Sequence, residues 1–170
     1  MSAVEVLFAL LGLVAVGSAL LVVTTARLVH AALWLVVTLG ALAGCYLLLA
    51  AEFVAWVQVL IYVGAVVVLL LFALMLTRAP TAAEAGTVTA NRPLAAGLAV
   101  LVAAALVSSL VAGFRDVRID LDDSVVGSAE TTGEALFTSW VLPFEVLSVL
   151  LLAALVGAIV LSRSTRGGGR

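Results

Sequence analysis

Glu52-Phe-Val-Ala-Trp-Val-Gln-Val-Leu-Ile-Tyr-Val-Gly-Ala-Val-Val-Val-Leu-Leu-Leu-Phe-Ala-Leu-Met-Leu76 is the stretch on which the reading of this chain turns. Its single charged side chain, Glu52, stands at the start, and only Gln58 and Tyr62 bring polar groups to its middle. As a helix it rises about 37 Å, enough to cross a hydrocarbon layer about 30 Å thick. Lipid offers no partner to backbone N–H and C=O groups, so such a run must pair them internally, as a helix.

The same reading extends outward. Apolar runs occupy residues 3–24, 28–50, 53–77, 93–113 and 141–162, each about as long as a bilayer requires. The chain has 170 residues, 65% of them hydrophobic and 11% charged. A soluble domain is about half apolar and a quarter charged, so five spans use up the apolar residues and leave little for a soluble core. The expectation is an all-α integral membrane protein, residues 1–170 forming a single membrane domain of five helices. This composition excludes a nucleotide-binding α/β domain, a secreted disulfide scaffold and a nucleic-acid binder. The lone cysteine, Cys45, allows no internal disulfide and no Cys-ligated cluster. With Glu5 and no basic residue before the first apolar run, the start reads as a true span rather than a cleaved signal peptide.

Connections are short between the first three runs. Residues 78–92, with Pro80, Gly86, Asn91 and Pro93 at its edge, form a turn-rich link. Residues 114–140 are the one long polar loop, in which the alternation Val117–Leu121 hints at a strand and Thr131 or Thr132 followed by Glu134 suggests a short surface helix. Residues 163–170 read as a flexible Gly- and Arg-rich tail. Crossing five times places Arg27, Arg78, Arg92, Arg163, Arg166 and Arg170 on one side against Arg115 and Arg118 on the other. The positive-inside rule then sets the N-terminus outside and the C-terminus in the cytoplasm, with loop 114–140 facing outward. No internal repeat is evident, which argues against a transporter of two inverted halves.

Polar groups inside the runs are the functional candidates, since a charge at a span's centre costs about 2.5–3.5 kcal/mol. Glu52 and Glu145 lie near the outer surface at the starts of inward-running helices, where the helix dipole favours a carboxylate. They read as structural or water-organising groups. His30 has Trp34 four residues on and no second ligand at a zinc-like spacing, so no metal is assigned. Gln58 and Tyr62 stand four apart, on one face of a regular helix. Gly64 removes a side chain where a neighbour can approach. These three residues serve either interhelical hydrogen bonding and close packing or a polar path through the membrane. Gly40 and Gly44 form a GxxxG pair, a sign of close packing alone.

The core Phe53, Ala55, Gln58, Tyr62, Gly64 and Ala65 is similar to the third helix of subunit J of the bacterial proton-pumping NADH-quinone oxidoreductases, respiratory complex I. Gly133, Leu136, Phe137 and Pro143-Phe144-Glu145 make a second match, and the two together span residues 1–77 and 131–162. The resemblance implies a membrane-arm subunit, packed between the quinone-site end and the antiporter-like subunits, with no catalytic residue and no cofactor in this chain. FMN, iron–sulfur clusters and quinone are implied in partner subunits, and the bacterial plasma membrane as the location. It also implies a π-bulge near Tyr62-Val63-Gly64-Ala65, with Gln58, Tyr62 and Gly64 as a hinge that gates a water path and couples quinone reduction to proton pumping. Moving the bulge would exchange Tyr62 for Val66 or Val67 on the inner face and dry that path. Where some family members carry Glu, this chain has Gln58, which binds water but does not titrate. The competing class is an accessory subunit of a multisubunit cation/proton antiporter; the Tyr62–Ala65 and Pro143–Glu145 segments favour the redox-driven pump.

Overall fold

The computed structural model describes residues 3–76, 92–117 and 127–164. These are helical wherever they are regular, with no strand among the described residues. The helices are α1, Ala3–Thr24; α2, Leu28–Leu48; α3, Glu52–Leu76; α4, Arg92–Phe114; α5, Ala129–Thr138; and α6, Val141–Ser164. All but α5 are long and apolar enough to cross a membrane, so the expectation of five spans holds. The suggested strand at 117–121 lies outside the described residues beyond Val117, as does most of the link 78–92 and of the tail. The described chain forms two compact units, residues 1–124 and 125–170, taken here in turn.

In the first unit α2 is the middle helix, packing on α1 and on the whole length of α3. Alternate residues Ala41, Ala43 and Cys45 are all buried, which a helix achieves only when it is covered on more than one side. The α1 stripe against it is Leu11, Ala15, Ser18 and Val22, spaced four, three and four residues apart. Buried positions are mostly small: Ala15, Ser18, Ala32, Ala41, Ala43, Cys45 and Ala55, with Val67 the largest side chain fully enclosed. Lipid tails solvate leucine as well as a neighbouring helix does, so close backbone approach over small residues, rather than burial of large ones, holds spans together. The large residues accordingly point outward, Leu13 and Val23 being over 70% exposed.

Two details lock α1 to α2. The hydroxyls of Ser18 and Thr38 lie 2.8 Å apart, with the carbonyls of Val14 (2.6 Å) and Trp34 (3.0 Å) accepting whichever proton is not shared between them. A Cβ at Gly44 would come within 2.9 Å of a Leu11 methyl, whereas one at Gly40 would meet nothing within 4 Å. Among the described residues it is therefore the second glycine of the GxxxG pair that admits a neighbouring helix.

α2 ends two residues before the sequence reading placed its end, for a conformational reason. Ala50 takes φ 56°, the left-handed region, and the N–H groups of Ala50 and Ala51 donate to the carbonyls of Leu47 (3.1 Å) and Tyr46 (2.9 Å). This is the Schellman closure of a helix end, normally made by glycine. It turns the chain within three residues and sets the start of α3 against α2. Among the described residues α4 packs on no other helix of its unit.

The second unit joins α5 to α6. Sequence reading started the surface helix at Thr131 or Thr132; the structure starts it at Ala129, because Ser128 is the cap, its hydroxyl accepting from the Thr131 N–H at 3.2 Å. Glu134 then falls inside the helix rather than in a capping box, its carbonyl accepting from the Thr138 hydroxyl at 2.7 Å.

Candidate functional site

The candidate site is the middle of α3. Glu52–Val57 and Val67–Leu76 are α-helical, and Gln58–Val66 between them is a π-helix. At its lower end the Val67 N–H donates to the Tyr62 carbonyl, five residues back instead of four. The sequence favours this locally. Val59, Ile61, Val63 and Val66 are β-branched, which weakens the regular ladder, and Gly64 adds backbone freedom among them. A Cβ at Gly64 would lie 3.4 Å from the Val59 carbonyl oxygen and within 4 Å of nothing else outside its own turn. Gly64 is exposed, and among the described residues that carbonyl of its own helix is what an added side chain would meet.

The wider turn decides which residues face α2. Along a regular helix the nine steps from Gln58 to Val67 advance about two and a half turns, placing the two on opposite faces. With hydrogen bonds reaching five residues back, the same nine make roughly two turns. Gln58 and Val67 therefore fall on one face, and both are buried, at 8% and 1% exposure. Val63, five residues after Gln58, is half-buried between them. Tyr62 is 47% exposed. Sequence reading grouped Gln58 and Tyr62 on one face by i, i+4 spacing; in the structure Gln58 is buried and Tyr62 exposed, because four residues of π-helix fall short of a full turn where four of α-helix pass it, which puts Tyr62 on the other side of Gln58 from Val63. The state described has Val67, not Tyr62, on the inner face.

Gln58 is chemically the most unusual side chain here. No hydrogen bond to its amide forms among the described residues, yet neither amide atom is sealed from the surface. It is a donor and an acceptor that just reach the surface of the chain. The other sequence candidates stand apart from it. Glu52 is exposed in the first turn of α3, Glu145 is exposed about a turn into α6, and His30 is exposed near the start of α2. Among the described residues no three His, Cys, Asp or Glu side chains come together to hold a metal. Sequence reading left Val66 or Val67 open as the residue that trades places with Tyr62, and the structure encloses Val67 while Val66 is exposed; it missed the Ser18–Thr38 pair, for which the signal was present as a hydroxyl in each of two apolar runs.

Comparison with known proteins carries the identification further. A family model described as NADH-ubiquinone/plastoquinone oxidoreductase chain 6 matches residues 18–161. F(420)H(2) dehydrogenase subunit J of Methanosarcina mazei is 40% identical over 158 residues, covering 92% of this chain and 89% of the relative. NAD(P)H-quinone oxidoreductase chain 6 of Leptolyngbya boryana is 42% identical over 159 residues, covering 92% and 78%. NADH-quinone oxidoreductase subunit J of Rhodobacter capsulatus is 33% identical over 160 residues, covering 91% and 79%. With a family match over most of its length and five membrane-crossing helices, the chain belongs to the NADH-ubiquinone/plastoquinone oxidoreductase chain 6 family, the subunit J membrane subunits of the NADH-quinone oxidoreductases.

Proposed function

We propose that this chain helps couple quinone reduction to proton translocation by gating a water path at α3, and does no redox chemistry itself. The observation that carries the reading is the π-segment Gln58–Val66, which turns an unpartnered amide and Val67 inward and Tyr62 outward. A π-turn exchanged for an α-turn rotates everything beyond it by about 100°. With Gln58 held against α2, that exchange brings Tyr62 toward α2 and carries Val67 away. A phenol and an amide facing each other hold water; a valine beside the amide does not.

The relatives' names support a role apart from electron entry. They carry different electron donors, F(420)H(2), NAD(P)H and NADH, on chains alike over most of their length. A subunit that stays the same while the donor changes is best placed away from the donor's chemistry. Flavin, iron–sulfur clusters and quinone accordingly belong to partner subunits, among them quinone-site and antiporter-like membrane subunits. Residues 1–170 act as one membrane domain in the bacterial plasma membrane, N-terminus outside, as the arginine asymmetry favours. Glu52 and Glu145 organise water at the outer surface.

The test is Gly64→Val in the assembled complex. A β-branched residue against the Val59 carbonyl stiffens the segment, so quinone-linked turnover and proton uptake into vesicles should both fall, while electron transfer to an artificial acceptor upstream of the quinone persists. Glu52→Gln and Glu145→Gln should keep most of the pumping. A Gly64→Val complex that assembles and pumps at the normal ratio and rate reduces α3 to a packing element.

A further inference from the structure

The hydroxyl pair of Ser18 and Thr38 has no task in the account of α3, although it lies at the depth where α3 turns. Thr38 comes ten residues before Leu48, the last of α2, and Tyr62 ten residues after Glu52, the first of α3. A corner of three residues joins Leu48 to Glu52, and ten residues of helix rise about 15 Å, so Thr38 and Tyr62 lie about equally far from that corner. Ser18 is 4% exposed on α1, and Thr38 is half-buried on α2. Their oxygens are 2.8 Å apart.

Two hydroxyl protons serve this pair, and both ways of arranging them keep the helices linked. If Ser18 donates to Thr38, the Thr38 proton goes to the Trp34 carbonyl at 3.0 Å. If Thr38 donates to Ser18, the Ser18 proton goes to the Val14 carbonyl at 2.6 Å or the Ala15 carbonyl at 3.1 Å. A hydrogen bond is directional, whereas an apolar span face is served almost as well by lipid tails as by a neighbouring helix. Leu11 lies over Gly44, and the hydroxyl pair meets α2 six residues earlier, at Thr38. Two such points on α2 fix its rotation against α1 as well as its distance.

We propose that Ser18 and Thr38 are positioning residues for coupling: they hold α2 still while α3 turns against it. This rests on the reading of α3 as a hinge. Exchanging Val67 for Tyr62 is a displacement relative to α2, and among the described residues α2 packs on α1 and α3 alone. If α2 rolled with α3, the contact between them would stay as it is, and neither Tyr62 nor Val67 would change place. Within this chain, resistance to that rolling comes from α1. Removing one hydroxyl leaves the other bonded to a carbonyl of its own helix, so no buried polar group is orphaned and the helices still pack.

The experiment uses the assembled complex in sealed vesicles, with proton uptake per quinone reduced measured beside quinone-linked turnover. Thr38→Val keeps the shape and removes the hydroxyl, whereas Thr38→Ser keeps the hydroxyl. Loss of the bond removes a bias of about threefold or more between arrangements of the two spans, so the uptake ratio should fall about twofold in Thr38→Val while turnover persists. Thr38→Ser should restore the ratio. Ser18→Ala should match Thr38→Val, and the double variant should be no worse than either, as expected for one shared interaction. A role in stability alone would lower the inactivation midpoint and turnover together and leave the ratio at its normal value, which overturns the proposal. A low ratio in Thr38→Ser also overturns it, by assigning the effect to the methyl group. Gly64→Val, measured in parallel, separates this proposal from the hinge reading. If Gly64→Val slows turnover and proton uptake while Thr38→Val pumps at the normal ratio, the hinge stands and the positioning role falls; if Gly64→Val pumps normally, both fall. If Thr38→Val prevents assembly, Ser18→Ala decides alone.

Discussion

Gln58→Leu should separate stability from function in α3. The side chain is 8% exposed, and its amide finds no hydrogen-bond partner among the described residues. A buried polar group left without a partner costs about 1–3 kcal/mol. The lower end applies here, because the amide atoms still reach the surface of the chain and because apolar packing gains little over lipid. Leucine matches glutamine closely in helix propensity and in bulk, so the exchange removes the penalty without leaving a cavity. The expected gain is about 1 kcal/mol, read as a thermal-inactivation midpoint of the assembled complex that holds or rises. Proton uptake per quinone reduced should fall in the same preparation, since leucine cannot hold water. Normal pumping would remove Gln58 from the path. A clearly lowered midpoint would show instead that the amide has a structural partner, and would refute the reasoning from its isolation.

Two further outcomes are expected. Ala50→Gly should stabilise the α2–α3 corner by about 1 kcal/mol, because a Cβ in the left-handed region costs roughly 1–2 kcal/mol and glycine's larger unfolded-state entropy offsets part of the relief; a lower midpoint in denaturant or heat would contradict the strain at φ 56°. Membrane-impermeant thiol reagents applied from outside should modify Ser128→Cys and spare Ser164→Cys, read on the separated band of this subunit, and the reverse pattern would invert the topology.

The spans were legible because length and hydropathy alone decide them, and the ends of α1 needed no tertiary information, whereas α6 runs to Ser164, two residues past its expected end and into the expected tail. The end of α2 was not: Ala50 is not a residue that announces a left-handed turn, and only the paired bonds to Leu47 and Tyr46 explain its conformation. In α5 the Ser128 cap was hidden by Thr131, which offered an equally good capping pattern three residues later. The π-segment entered through family resemblance, and its consequence was out of reach of spacing rules. Counting by fours pairs Gln58 with Tyr62, whereas the structure counts by five and then four, through Val63 to Val67. A helix face can be read from sequence only when the number of residues per turn is known, and here that number changes within the helix. Family comparison, by contrast, agreed with the resemblance already present in Phe53–Ala65.

The central claim is that α3 passes between the π-form described here, with Val67 against α2, and a form with Tyr62 there. Photo-crosslinking tests it most directly, with a diazirine-bearing residue in place of Val67 in one complex and of Tyr62 in another, illuminated at rest and during turnover with donor and quinone. Peptide mapping then gives the fraction of each that has captured α2. The account predicts strong capture from position 67 at rest, falling during turnover, while capture from position 62 rises. Capture that stays the same at both positions in complexes that are pumping protons would contradict it.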